Sequence, residues 1–168
     1  MVTVFDGRRD RIPEMKDADP LNEHGNGLRI VTGLSAESGT HPSRSRIGPW
    51  PALGKTVWFS LALPQTWPTT YTAMTPGQAA RRLHALLAAR GLTGVIRADR
   101  AGVALVSVRH GITVWVEPGA FSLAGVDSDR IRRPLADLQE VAEIVVHHHE
   151  RQGLTPGHRE NAKFPAGP

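Results

Sequence analysis

The chain has 168 residues, 40% of them hydrophobic, with a formal net charge of +4, no cysteine and an isoelectric point near 10.3. That length and apolar content suit one domain or two small ones and argue against disorder throughout. The absence of cysteine excludes disulfides and thiolate chemistry, and no apolar run approaches the roughly 18 residues of a membrane helix.

The start, Met1-Val-Thr-Val-Phe-Asp6, runs at once into Gly7-Arg-Arg-Asp-Arg11 and lacks the layout of a signal peptide, so the expected location is the cytoplasm. Residues 2–5 are expected to form a short strand, followed by a charged, proline-containing loop to about residue 20. Leu28, Ile30, Val31 and Leu34 then predict a short buried helix opened by Gly25-Asn-Gly27. Residues 35–53, rich in Ser, Gly and Pro, read as irregular, and residues 54–63 as a β-rich run closed by Pro64. A linker is expected over 65–74.

Thr75-Pro76 is a strong helix start, with threonine as cap and proline at the first helical position; Ala79, Leu83, Leu86 and Leu87 repeat on one face until Gly91. Strands over 94–98, 103–109 and 113–117, with a fourth over 120–123, predict an antiparallel meander. Leu135, Leu138, Val141, Ala142 and Val145 predict a last amphipathic helix ending near Arg151. From Gly153 onward the tail is expected to be disordered. The predicted organisation is therefore a unit over 1–64, a linker over 65–74, a small α+β module over 75–152 and a tail over 153–168.

Three pieces of the first unit have chemical meaning in their order. A carboxylate at a strand end, Asp6, can accept a hydrogen bond from a purine amino group and so select adenine. Glycines before a helix let backbone amides and the positive end of the helix dipole approach phosphates. The hydroxyl of Thr56, after Gly54 and Lys55, can add a polar contact near a base. Together with the segments Glu23-His-Gly-Asn-Gly-Leu-Arg-Ile-Val31 and Gly54-Lys-Thr-Val-Trp-Phe-Ser-Leu61, residues 1–63 resemble the closing half of the histidine-kinase-like ATPases (the GHKL superfamily), in the actinobacterial branch that includes anti-sigma-factor serine kinases.

The resemblance implies a partial two-layer α/β sandwich over residues 1–64, and with the helix, antiparallel meander and helix read from the later spacing the expected fold class is α+β. It implies an ATP-binding regulatory protein, with Asp6 reading adenine, Gly25, Asn26, Gly27 and Leu28 beside the phosphates, and Gly54 and Thr56 in the last nucleotide-proximal motif. The implied partners are a sigma factor or an anti-sigma antagonist, with self-association left open. In that family an earlier helix supplies an asparagine that holds magnesium and a glutamate base; no counterpart occurs here, so these residues are expected to be inactive as a kinase on their own, phosphoryl transfer depending on metal and nucleophile positioning. The alternative is a non-catalytic protein-interaction module carrying a relic of the ATPase fold.

Other features have plainer readings. His147, His148 and His149 occupy consecutive positions about 100° apart on a helix and do not converge on one ion. Glu140, Glu143 and Glu150, with Arg133 and Arg151, are expected on the solvated side of the last helix, Lys55 as an edge charge, and Trp58, Val114 and Trp115 as core. The arginines are scattered, without the basic run interleaved with aromatics that marks a nucleic-acid face.

Overall fold

A computed structural model describes residues 1–14, 26–62, 74–108, 111–124 and 130–154. Residues 65–73 of the predicted linker, most of the tail and Gly25 lie outside the described residues. Among the described residues the fold is α+β, with two antiparallel sheets and three α-helices. In chain order the elements are β1 (Val2–Asp6), α1 (Gly27–Leu34), β2 (Glu37–Ile47), β3 (Trp50–Ser60), α2 (Pro76–Ala89), β4 (Val95–Arg100), β5 (Val103–Val108), β6 (Ile112–Glu117), β7 (Ala120–Ala124), β8 (Ile131–Pro134) and α3 (Leu138–Leu154), the last preceded by a 3₁₀ turn over Leu135–Asp137.

The second sheet is a five-stranded meander in the order β4-β5-β6-β7-β8. Its strands alternate: Val106 and Val108, then Ile112, Val114 and Val116, are buried, while Thr113 and Trp115 face the other way. Helices α2 and α3 cover the buried face through Ala79, Ala80, Leu83 and Leu87, and Val141, Val145 and Val146. Every buried apolar side chain among the described residues falls between Ala79 and Val146, so this module holds the core. Trp115 is 42% exposed, contrary to expectation, because strict alternation gives the core its neighbours Val114 and Val116.

Local chemistry sets the ends of α2. The Thr75 side chain accepts from the Gln78 N–H, and the Gln78 side chain accepts from the Thr75 N–H, forming a capping box with Pro76 at the first position. At the other end Gly91 takes φ +76°, and the bonds from Gly91 N–H to the Ala88 carbonyl and from Leu92 N–H to the Leu87 carbonyl close a Schellman motif. The buried Leu92 completes it with an apolar contact.

The first sheet has the order β1-β3-β2. Its central strand pairs with β1 from Val2↔Phe59 to Asp6↔Lys55 and with β2 from Glu37↔Ser60 to Ile47↔Trp50. Strand β2 and the first part of β3 occupy the segment that reads as irregular. Pro42 is tolerated because β2 is an edge strand, and Gly48, at φ +65°, makes the tight turn to β3. Strand β8, Ile131–Pro134, was likewise not expected. Helix α1 forms where its spacing places it, but no residue of it is buried: Ile30 is 59% and Leu34 71% exposed, since among the described elements α1 lies mainly against β2.

Candidate functional site

The residues singled out in the sequence fall into separate places. The Asp6 carboxylate ends β1 and is occupied locally: Lys55 Nζ donates to Oδ2 at 2.7 Å and the Arg8 N–H donates to Oδ1 at 2.8 Å. The Lys55 hydrogen bond, followed by that from the Arg8 backbone, holds the Asp6 carboxyl below the ordinary carboxylate value. Lys55 is 3% exposed and also donates to the Arg8 carbonyl, so it is a buried cross-strand cation, not an edge charge. Gly54 lies against the chain as it leaves β1; a Cβ there would sit 2.2 Å from the Asp6 carbonyl oxygen. Glycine at 54 thus serves a close backbone approach. Asn26 precedes α1, Gly27 and Leu28 begin it, and a Cβ on Gly27 would meet open space.

Thr56 has the opposite fate. It pairs with Phe5 and His41 in the sheet, is fully buried, and its Oγ1 donates to Glu143 Oε2 of α3 at 3.3 Å. Glu143 is the centre of this side of the molecule. Arg90, the C-cap of α2, donates to Oε1, and His41 Nε2 lies 3.4 Å from Oε2. Burial would raise the pKa of Glu143, but the hydrogen bond from His41 and the charge and hydrogen bond of Arg90 outweigh it and hold the group ionised below its ordinary range. Two turns on, Glu150 accepts from Arg44 Nε at 2.7 Å and from Arg9 Nη2 at 3.1 Å. Arg44 also donates to the Gly91 carbonyl at 3.3 Å, joining β2 to the end of α2.

Glu143 and Glu150 are therefore buried, at 2% and 5% exposure, and not on the solvated side of α3. Glu140 keeps the expected character, sharing a partly exposed pair with Arg133 at 2.8 Å. Their placement reverses expectation because the first sheet packs on the flank of α3 that its own apolar stripe leaves free. The signal available in the sequence was the spacing: Glu143, His147 and Glu150 at i, i+4 and i+7 share one helix face.

Above Glu143 an open cleft of about 570 Å³ lies between the first sheet, β8 and α3. Trp58 and Gly39 line it on the sheet side, Ile131 and Arg133 on β8, and Ile144 and His147 on α3. Trp58 is half-buried and lies across Gly39, where a Cβ would stand 2.9 Å from the indole Nε1. The His41 and His147 rings are 4.8 Å apart with a 59° tilt. Burial, then the neighbouring His41 and Arg151, pushes His147 below the ordinary histidine pKa. Its Nδ1 is buried without a well-formed hydrogen bond, while the Pro42 backbone interacts with the ring and partly opposes that shift; Ser43 Oγ is buried without a partner as well. Among the described residues no group of three or more His, Asp or Glu side chains is placed to hold a metal ion, and no helix is long and apolar enough to cross a membrane.

The arrangement defines an α+β chain whose two sheets meet across one helix through a buried polar seam. Compared with protein-family models, curated proteins and solved structures, the chain finds no match.

Proposed function

We propose that this protein is a non-catalytic interaction module that carries the closing half of a histidine-kinase-like ATPase fold as a relic, with a small α+β module docked on it. The observation that carries this reading is the buried hydrogen bond from Thr56 to Glu143. In the family resemblance Thr56 would turn toward a nucleotide; here its hydroxyl is committed to a carboxylate of the second unit, whose negative charge opposes phosphates. The cleft nearby takes none of Asp6, Gly27 or Thr56 into its lining. Exposed Val2, Val4 and Leu53 on the first sheet, with Ile30 and Leu34 on α1, provide apolar surface of the kind that protein partners cover.

A second reading, retained nucleotide binding in a regulatory protein of the anti-sigma kinase type, is favoured by one feature. The Asp6 carboxylate is ionised and its side chain 46% exposed, so it can still accept from an adenine amino group. Calorimetry with ATP and magnesium, on the wild type and on Asp6→Ala, separates the two. The interaction reading expects no heat of binding from either protein up to millimolar nucleotide. Binding by the wild type that the variant loses would sink it in favour of the nucleotide reading.

A further inference from the structure

The first sheet contributes nothing to the buried apolar core, and what holds it to α3 is polar: Glu143 with Thr56, His41 and Arg90, and Glu150 with Arg44 and Arg9. Between these two carboxylates the seam contains His147, in ring contact with His41. We propose that this seam is an acid-released latch, in which a proton taken up by His147, packed ring against ring with His41, loosens the three-stranded sheet from α3 while the α2, α3 and five-stranded-sheet core stays folded.

The charged surroundings decide the direction. On α3 His148 and Arg151 act on His147, and Glu143 and Glu150 lie one turn before and after it; from β2 come His41, the Pro42 backbone, which alone favours the proton, and further along Arg44; from α2 comes Arg90, and across the cleft from β8 comes Arg133 paired with Glu140. The two carboxylates already hold Arg90, Arg44 and Arg9, so a new charge on His147 enters a place where cations are in surplus and hydration is reduced. Its docked-state pKa lies below the ordinary value of 6.5, so the undocked state binds the proton more readily. Docking is then at full strength above about pH 6.5 and weakens as pH falls from that value through the lowered one. Glu143 has the same sign in a more acid window: its contribution is full above 4.5 and disappears as pH falls through its depressed pKa. The core has no such dependence in the first window, since its contacts are apolar.

Hydrogen exchange on the full chain, read by mass spectrometry at pH 7.5, 6.5 and 5.5 and corrected for intrinsic rates, tests the latch independently of any nucleotide. Protection of β2 and β3 should fall between pH 7.5 and 5.5, the loss setting in below about pH 6.5, with α2, β5 and β6 unchanged. His147→Gln should abolish that dependence, and His41→Gln should weaken it and serves if the first variant does not fold. Equal protection of β2 at the three pH values, a parallel loss in α2 and β5, a pH dependence surviving in folded His147→Gln, or one undiminished in His41→Gln would overturn the proposal.

Discussion

Replacing Glu143 by alanine tests the polar seam at its centre. The side chain is 2% exposed and serves Arg90, His41 and Thr56 together. Its removal leaves a guanidinium 14% exposed and an imidazole 15% exposed without their acceptor. Breaking one side of a buried ion pair costs about 3–5 kcal/mol, mostly as the penalty of the stranded partner. The open cleft beside the seam lets water reach part of it, which puts the expected loss near the lower end. With a urea m-value of about 2 kcal/mol/M, a loss of ~3 kcal/mol lowers the unfolding midpoint by roughly 1.5 M. Glu117→Ala is the control, since its partners Arg130 and Arg132 are 71% and 67% exposed and such pairs contribute only about 0–1 kcal/mol. Glu143→Gln, which keeps an acceptor but loses the charge, should fall between them. A Glu143→Ala midpoint no lower than that of Glu117→Ala would show that the seam contributes no more than a surface pair.

Gly54→Ala should detach the end of β1 from β3, because the added methyl would stand 2.2 Å from the Asp6 carbonyl and no side-chain motion relieves a backbone clash; a loss of about 1–3 kcal/mol is expected in urea unfolding. Ala101 takes φ 53° in the two-residue turn before Gly102, a conformation that costs a non-glycine residue about 1 kcal/mol. Ala101→Asn creates the Asn-Gly pair that such hairpins favour and should raise stability by about 0.5–1 kcal/mol in thermal unfolding. Phe121 is fully buried in β7, and Phe121→Ala should cost about 3–5 kcal/mol, a loss seen in far-UV circular dichroism as an earlier cooperative melt.

The second unit was largely legible before any tertiary information. The Thr75-Pro76 start and Gly91 stop of α2, the alternation of Val106, Val108, Val114 and Val116, and the stripe of Val141 and Val145 are local signals, and each element forms where its period places it. In the first unit the same reasoning failed at β2. Glu37–Ile47 is polar, holds Pro42, and has little strand propensity, yet it pairs along its whole length because β3 beside it supplies the hydrogen bonds and α3 the cover. The candidate site was less legible still. By their order in the sequence Asp6, Gly54 and Thr56 suit one ligand, but Asp6 pairs with Lys55, Gly54 accommodates a crossing backbone, and Thr56 turns to α3. Glu143 and Glu150, set aside as surface charges, are the buried groups.

What the chain determined by itself was the set of periods, caps and turns, because those depend on neighbours three or four positions away or on single backbone angles. Which face of α3 meets the first sheet was decided only by tertiary structure. A glutamate on a helix looks the same in sequence whether water or an arginine from another element faces it. Arg9 and Arg44 reach Glu150 from 141 and 106 residues away, and no local pattern records a pairing of that separation.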